Sequence, residues 1–271
     1  MRSVRSLAFR TDLFLVADDG VVRERERYIV LETPSNPSFL WGNFLLYPEP
    51  PDADSHERWL DDHARELPNV DAVLLAWDRP DGAMGDVDRF VQRGFALDQS
   101  AILTASRVTR PPRMNDDVRV EPLGTDAQWE ACVSVLTNAF AARRSGSVDD
   151  LRTFVVRQLE RFKAMQAKKM GQWYGAYLDG ELAGTLGLVR VASEAGAIGR
   201  FQLVGVDPRF GRRGVCSSLV YDVAHRALTT QGFGTLVMAA DATYHAARVY
   251  ESVGFARTEL LGAVLRTPPA A

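Results

Sequence analysis

The sequence predicts an α/β protein in which a mixed central sheet is flanked by helices, and it predicts two domains. With 271 residues the chain exceeds one domain of ordinary size and suits two. A polar segment at 107–116 contains Pro111 and Pro112, a composition typical of a linker. After this segment, strand and helix patterns alternate along the chain, which is typical of an α/β fold. We therefore expect domains at 1–106 and 117–271.

Composition narrows the class of function. The chain is 46% hydrophobic and 25% charged, as ordinary globular proteins are. No uncharged apolar run approaches the ~18 residues of a membrane span, and the first residues lack the pattern of a signal peptide. Cys132 and Cys216 have no metal-binding spacing, so we expect a reduced, cytoplasmic protein without a metal. The net charge of −3 argues against nucleic acid as a partner.

The elements of the second half follow from local patterns. Asp179-Gly180 predicts a tight hairpin, because this dipeptide favours the two-residue turn between antiparallel strands. Apolar residues spaced for one buried face predict an amphipathic helix after Gly214. In chain order we predict a strand at 117–123, helices at 126–142 and 148–170, strands at 173–178, 181–191 and 198–206, the helix after Gly214, a strand at 235–240, a helix at 243–252 and a final strand pair after Gly254.

The segment between the strand at 198–206 and the next helix carries the chemical signal. A loop containing Gly211 and Gly214 opens the helix, so backbone N–H groups of the first helical turn converge on one point. Such a helix N-terminus favours a phosphate or pyrophosphate. Arg209, Arg212 and Arg213 add positive charge at the rim. Two glycines before a helix are also common in plain tight turns, and the loop by itself leaves both interpretations open.

Sequence order adds a family resemblance. Val206-Asp207-Pro208 followed by Arg212-Arg213-Gly214-Val215 resembles the pyrophosphate loop of the GNAT superfamily of N-acetyltransferases. Residues 246–255, with Tyr250-Glu251 and Gly254-Phe255, look like the second signature of that family. The likeness covers roughly 117–262. Three positions depart from the family pattern: Gly211 stands where Gln or Arg is usual, Cys216 replaces a small Gly or Ala, and Thr243 replaces Asn.

The resemblance implies a complete GNAT fold in the C-terminal domain and acetyl-CoA as the co-substrate. Backbone groups of the strand before the loop would hold the thioester, and the loop would hold the pyrophosphate. Cys216 is small enough to let a phosphate approach the helix, and a nucleophilic role for it is the weaker alternative. The implied cofactor-binding residues are Leu203, Val204, Gly205, Val206, Gly211, Arg212, Arg213, Gly214, Val215, Cys216, Ser217, Thr243 and Ala246.

Tyr250 matches the family tyrosine that protonates the departing CoA thiolate, and the alternative is an aromatic residue that only packs. The general base is not fixed by the sequence. Asp241 and Glu194 are candidates, His245 is equally well a surface residue, and deprotonation through water is a further alternative.

Residues 1–106 resemble a degenerate copy of the same unit, a layout similar to tandem GNAT proteins such as mycothiol synthase. Residues 86–95 parallel 246–255, with Phe90 at the tyrosine position. Where the phosphate loop belongs, the chain has prolines and acidic residues at 48–54, so this copy should not bind CoA. Trp41-Gly42-Asn43 could line a cleft or belong to the core. We expect His56 and His63 to be solvated rather than metal-binding.

Two functional hypotheses result. The first is an N-acetyltransferase that moves an acetyl group from acetyl-CoA to a primary amine of a small molecule or peptide by direct attack. The second is a non-catalytic sensor that binds acyl-CoA and regulates a partner. Either form would be a monomer or homodimer, and neither needs a membrane or nucleic acid.

Overall fold

The computed structural model describes residues 3–142, 147–193, 196–242 and 246–267. The chain divides into two compact units. Unit 1 comprises Met1–Ile102, Ala239–Tyr244 and Arg257–Ala271, and unit 2 comprises Leu103–Met238 and His245–Ala256. Both units place helices against a mixed sheet, so the predicted α/β class is confirmed. The linker at 107–116 and the domain limits beside it stay a prediction.

Unit 1 begins with a helix that the sequence patterns did not reveal. Ser6 caps this helix, since its hydroxyl accepts a hydrogen bond from the N–H of Phe9 at 3.3 Å. Strands β1, β2 and β3 form an antiparallel meander, and β3 runs parallel to β4. The elements are α1 (Leu7–Ala17), β1 (Val21–Glu24), β2 (Ile29–Glu32), a 3-10 turn (Leu40–Gly42), β3 (Phe44–Tyr47), α2 (Ser55–Glu66), β4 (Val73–Trp77), α3 (Asp88–Gln92) and β5 (Ala96–Ala105).

Unit 2 contains most of the predicted elements close to their predicted limits. The hairpin between β7 and β8 turns at Asp179 and Gly180, whose φ angles of 54° and 82° suit the predicted turn. Strands β6 to β9 are antiparallel in sequence order, and β10 runs parallel to β9. The elements of unit 2 are β6 (Arg119–Pro122), α4 (Asp126–Ala141), α5 (Val148–Ala167), β7 (Gly171–Leu178), β8 (Glu181–Val191), β9 (Ala197–Val206), a 3-10 turn (Pro208–Phe210), α6 (Val215–Thr229), β10 (Phe233–Asp241), whose last three residues belong to unit 1, and α7 (Ala246–Val253). The last strand, β11 (Ala256–Arg266), belongs to unit 1 from Arg257 onward.

The predicted final strand pair is wrong, because the described residues form the single strand β11 instead. This strand pairs antiparallel with β4 and so completes the sheet of unit 1. Gly262 does not mark a turn. A Cβ atom at Gly262 would lie 2.6 Å from the ring of Trp77, so the glycine makes room for that ring within a continuous strand.

Each unit repeats one sequence of elements, as predicted for a duplicated unit. Three antiparallel strands are followed by a helix and then by a strand parallel to the third, first in β1–β4 with α2 and again in β7–β10 with α6. The copies differ where the third and fourth strands end. In unit 1 the pairing continues to Tyr47 and Trp77, and the N–H of Asp78 still donates to the carbonyl of Tyr47 at 2.8 Å. In unit 2 the pairing of β9 with β10 ends at Arg200 and Val237.

Aromatic side chains fill the corresponding region of unit 1. The ring of Trp59, on α2, stacks on Tyr47 with the ring centroids 3.7 Å apart and an interplanar angle of 4°. Phe90 lies 6.0 Å from Trp59 and 5.5 Å from Phe95. All four side chains are buried in one cluster. Because β3 and β4 stay paired to their ends and aromatic side chains fill the core beside them, unit 1 lacks the open strand end that unit 2 retains.

The expectation that His56 and His63 are solvated is wrong, because both side chains are buried on the inner face of α2. Burial, and secondly the positive charge of Arg266, lower the pKa of His63 to about 4. Among the described groups, the Nε2 atoms of both imidazoles have no hydrogen-bond partner. Neutral imidazole therefore packs here as a small aromatic side chain.

We predict that His63 makes the protein less stable in mild acid. Unfolded His63 takes up a proton near pH 6.5 whereas the folded residue resists protonation down to about pH 4, so stability falls as the pH drops through this window. The slope of about 1.4 kcal/mol per pH unit gives a loss of roughly 2 kcal/mol at pH 5. Urea denaturation at pH 7 and pH 5 should show a smaller loss for His63→Leu than for wild type. The control is His225→Gln, at an exposed position of α6, which should lose as much as wild type. Equal losses in His63→Leu and wild type would refute the assignment.

Candidate acyl-CoA site

Strand β9 carries a bulge at the point where it leaves β10. Gln202 pairs with Gly187 and Gly205 pairs with Thr185, so two residues of β9, Leu203 and Val204, stand opposite one residue of β8. Leu203 has a φ of 46°, which a non-glycine residue adopts only at a cost. A bulge interrupts the regular hydrogen-bond ladder and redirects the backbone groups beside it.

The bulged segment combines a packed side with an accessible one. A Cβ atom at Gly205 would lie 2.7 Å from the Leu136 side chain, so α4 packs directly on the backbone there. Leu203, Val204 and Val206 are each half-buried. The family resemblance predicts these residues at the thioester, and the geometry is compatible with that prediction, because backbone that is neither paired with β10 nor fully covered can offer N–H groups to a ligand.

The loop after β9 is ordered by Asp207. This buried carboxylate accepts hydrogen bonds from Asn138 Nδ2 at 2.8 Å and from the N–H of Arg209 at 2.9 Å. Burial alone would raise the pKa of Asp207, but the hydrogen bonds from Asn138 and Arg209 outweigh it and lower the pKa below its usual range. A charged Asp207 thus anchors the turn that leads to α6.

The first turn of α6 has the backbone geometry of an anion site. Gly214 precedes the helix with a φ of 78° and, as a glycine at the N-cap, has no side chain to cap this end. The first intrahelical bond runs from the N–H of Ser218 to the carbonyl of Gly214 at 3.0 Å. The N–H groups of Val215, Cys216 and Ser217 precede it and, as in any α-helix, point out of the N-terminus. Val215 and Ser217 are buried and Cys216 is half-buried.

Positive φ angles in the loop fall on Arg212 at 60° and on Gly214, whereas Gly211 has an ordinary φ of −59°. The departure from the family at Gly211 therefore does not set the loop conformation. The chain turns at Arg212, and the Arg212 side chain is exposed.

The three loop arginines differ in their surroundings. Arg213 pairs with Asp179 at 2.8 Å, and Arg209 pairs with Glu181 at 3.1 Å and with Asp207. Exposed pairs of this kind contribute little to stability and can exchange partners. Among the described side chains, Arg212 has no carboxylate within ion-pair distance. Arg212 is therefore the loop cation most available to a phosphate.

Asn115, which sequence reasoning missed, holds this loop in place. Its side-chain amide donates to the carbonyl of Arg213 at 2.8 Å, and its backbone N–H donates to the Ser218 hydroxyl at 2.9 Å. The Ser218 hydroxyl donates in turn to the carbonyl of Asn115 at 3.1 Å. Asn115 lies in the segment predicted to be a linker, and composition gave no sign that it would pack on the loop.

The two predicted catalytic side chains have different environments. Tyr250 lies on α7 and is 6% exposed, with its carbonyl accepting from the N–H of Phe255 at 3.1 Å. Asp241 is exposed at the end of β10. Burial, and secondly the charge of Asp241, raise the pKa of Asp98 on β5. Sequence reasoning missed Asp98, and the only signal for it was a carboxylate within a strand pattern.

Several predicted positions lie outside the described residues, namely Thr243, Glu194 and His245. Ala246 begins α7, and its side chain is not described. In unit 1, Trp41 packs 5.5 Å from Phe44 and 6.3 Å from Phe9, measured between ring centroids. Asn43 is buried and binds the loop backbone at Thr33 and Phe39. These contacts give Trp41 and Asn43 a structural role.

Comparison with known families agrees with this geometry. The sequence matches the acetyltransferase (GNAT) family over residues 138–255, a span that contains the bulged strand, the loop and α7. Residues 138–255 form a GNAT acetyltransferase domain. The match includes Tyr250 and the Gly254-Phe255 pair that carried the second resemblance.

Solved structures resemble nearly the whole chain in fold. A functionally unknown conserved protein from Staphylococcus epidermidis has a TM-score of 0.71 at 14% identity, covering 92% of this chain and 94% of its own. A GCN5-related N-acetyltransferase from Kribbella flavida has a TM-score of 0.63 at 12% identity, covering 98% and 96%. At such identities the likeness concerns the fold. A search among curated proteins found no match.

The described residues were also compared with the requirements of a membrane-spanning helix and of a metal site. None of their helices combines the length and apolarity needed to cross a bilayer. Within the same part of the chain, no three His, Cys, Asp or Glu side chains are grouped as metal ligands would be.

Gly214 provides a direct test of the loop. A Cβ atom at this position would lie 2.7 Å from the carbonyl oxygen of Arg113 and 2.9 Å from Asn115 Cβ, so the loop must shift. We predict that Gly214→Ala weakens acetyl-CoA binding at least about tenfold, because loss of aligned N–H donors removes charge-assisted hydrogen bonds. Calorimetric titration measures the effect.

The matched control is Gly94→Ala. Gly94 has a similar φ of 80° but nothing within 4 Å of an added Cβ, so the variant carries the backbone strain without disturbing the loop. Its affinity for acetyl-CoA should equal that of wild type. Equal affinities in the two variants would mean that the loop at Gly214 does not hold the ligand.

Proposed function

We propose that the protein is an acetyl-CoA-dependent N-acetyltransferase that acts on a primary amine of a small molecule or peptide. The observation that carries the proposal is the course of β9, which separates from β10 after Arg200, bulges at Leu203 and leads into the N-terminus of α6, where the N-cap residue is Gly214. This course supports one extended ligand with a carbonyl at the bulge and phosphates at the helix. An acyl-CoA has both groups.

Direct attack by the amine requires a stabilised oxyanion, a neutral amine and a proton for the leaving thiolate. The thioester oxygen becomes negative in the tetrahedral intermediate, and backbone N–H groups at Val204–Val206 are proposed to stabilise it, an effect worth a few kcal/mol per donor. An alkylamine with a pKa of ~10 is only about 0.1% neutral at pH 7, so a base accelerates attack. The CoA thiolate must finally gain a proton.

We assign the protonation of the CoA thiolate to Tyr250 and the role of general base to Asp241. In the proposed reaction the amine nitrogen bonds to the acetyl carbon and gives one proton to Asp241, the C–S bond breaks, and the tyrosine hydroxyl protonates the leaving sulfur. Proton exchange with solvent then restores the tyrosine and the carboxylate. The support for Tyr250 is its position within the matched family domain and its burial, which keeps water from competing as the proton donor. Asp241 is supported by its exposed position at the end of β10, and a water relay would serve in its absence.

Acetyl-CoA binding and amine turnover test the proposal together. Wild-type protein should be stabilised against heat by acetyl-CoA and should release CoA thiol in the presence of at least one amine from a panel of polyamines, amino sugars and peptides. Arg212→Gln should bind acetyl-CoA about tenfold more weakly, since one charge-assisted contact is lost. Arg157→Gln, which removes an exposed arginine from α5, is the control.

Each outcome distinguishes the hypotheses. Stabilisation with amine-dependent thiol release supports the transferase. Stabilisation without turnover across the panel would replace it with the acyl-CoA sensor. If acetyl-CoA gives no stabilisation while another nucleotide does, both hypotheses are wrong.

A further inference from the structure

Unit 2 contains a cavity that the proposed reaction does not use. It has a volume of about 320 Å³ and opens beside the start of β7, the end of β8 and the C-terminal end of α6. Cavities of this size accommodate small organic ligands. Its polar lining includes Lys169, Arg190, Arg226, Tyr174 and Gln231, and Phe233 contributes an aromatic face.

The cavity is remote from the proposed phosphate loop. The loop precedes the N-terminus of α6, whereas Arg226 and Gln231 belong to the last turn of the helix and the residues just after it. The 15 residues of α6 span about 22 Å at 1.5 Å per residue. A ligand of this cavity would therefore not be part of the acyl-CoA bound at the other end of the helix.

The cavity is positively charged. Three of its lining residues are cationic and none is acidic. Arg226 is balanced by Asp222 in an ion pair of 2.7 Å. Among the described residues, no carboxylate lies within ion-pair distance of Lys169 or Arg190. Two cations without a carboxylate partner on one concave surface favour a ligand with negative charge.

The donors are held in fixed positions before any ligand arrives. The Arg190 guanidinium lies 4.0 Å from the Phe233 ring centroid and donates one hydrogen bond to the carbonyl of Gln231, which leaves its other N–H groups for a ligand. Arg226 is fixed by Asp222 and by the carbonyl of Val120 at 3.1 Å. A fixed guanidinium loses less entropy when it binds an anion.

A buried hydroxyl completes the site. Tyr174 is 2% exposed, and its hydroxyl accepts a hydrogen bond from Gln231 Nε2 at 3.0 Å. The same hydroxyl retains its own O–H donor, so a cavity ligand that accepts hydrogen bonds suits it. A tyrosine donor, two unpaired cations and an aromatic face together match an anion that also carries an apolar part.

We propose that this cavity binds a small organic anion, a carboxylate or a phosphate ester, through Arg190, Lys169 and Tyr174, with its apolar part against Phe233. The proposal is independent of the acetyl-transfer reaction. It assigns to unit 2 a second ligand site at the opposite end of α6 from the acyl-CoA site.

Calorimetric titration at constant ionic strength tests this site with three probes of similar size: phenyl phosphate, phenylacetate and the neutral benzyl alcohol. We expect saturable binding of at least one anion and a much weaker signal for the alcohol. The anion that binds more tightly identifies the phosphate or the carboxylate as the preferred group. Arg190→Gln and Lys169→Gln should each weaken that binding about tenfold, the loss of one charge-assisted contact.

Two controls locate the binding. Arg157→Gln removes an exposed arginine elsewhere in unit 2, and Arg212→Gln removes one at the other end of α6; both should bind the anion as wild type does. Lys169 is itself exposed, so Lys169→Gln tests the site without disturbing the core. No saturable binding of either anion would overturn the proposal, as would equal binding of benzyl alcohol or a loss confined to Arg212→Gln.

Discussion

Replacing Tyr250 with phenylalanine is expected to lower the rate of acetyl transfer by about 10²–10⁴-fold, the range typical of a positioned acid. The substitution removes one hydroxyl and keeps the ring that α7 buries. Without this donor the CoA thiolate must leave unprotonated or take its proton from water. The dissociation constant of acetyl-CoA should change less than about threefold, because a proton donor that acts in the transition state contributes little to ground-state binding.

Single-turnover kinetics measure this prediction best, because slow product release can hide a chemical step in kcat. The matched control is Tyr221→Phe on α6, whose ring stacks on His225 at a centroid distance of 5.6 Å. It should transfer acetyl groups at the wild-type rate. If Tyr250→Phe also retained a rate within about threefold of wild type, Tyr250 would be a packing residue and the general acid would lie elsewhere.

Local patterns were sufficient to predict most of unit 2. The Asp179-Gly180 turn requires two positive φ angles, which this dipeptide tolerates. Helix α4 begins where Thr125 and Gln128 form a capping box, a helix start signal that depends on only four consecutive residues. Such elements are fixed by short-range chemistry, so their predicted limits lie close to the observed ones.

The parts of the candidate site that were missed depend on contacts between distant segments. The bulge at Leu203 is defined by its pairing with β8, and nothing in its own side chain signals a positive φ. Asn115 acts on a loop 98 residues further along the chain. The placement of β11 beside β4 is likewise a long-range pairing. A single sequence contains no record of such contacts.

Two features of unit 1, helix α1 and the buried polar side chains of α2, were not predicted because they violate simple burial patterns. Helix α1 has apolar residues on most sides, so it shows no amphipathic period to recognise. Helix α2 buries His56, Asp62 and His63 on its inner face, residues that a polar pattern assigns to solvent. Asp62 is accommodated by Arg27 and Arg65, which lie 2.9 Å and 2.5 Å away. Arg65 lies on α2 itself, but Arg27 lies between β1 and β2, so α2 alone could not reveal that partner.

Replacing Trp59 with alanine is expected to lower the free energy of unfolding by about 3–5 kcal/mol, as is usual when a buried tryptophan is truncated. Trp59 is 3% exposed and stacks on Tyr47, so the variant loses apolar burial and leaves a cavity between α2 and the sheet of unit 1. Trp59→Phe keeps part of the ring and should lose clearly less. Urea denaturation measures both variants, and a loss below about 1 kcal/mol in Trp59→Ala would show that the stack is not a core element.

The same variant tests whether unit 1 is degenerate because its core is filled or because its loop lacks donors. The segment at 48–54 contains Pro48, Pro50 and Pro51, which have no N–H to offer a phosphate. Glu49 there adds negative charge and pairs with Arg5 and Arg79. Opening the core should therefore not create a second site, and calorimetry should find one acetyl-CoA per chain in wild type and in Trp59→Ala. Two per chain in the variant would mean that the aromatic stack, and not the loop, keeps unit 1 from binding.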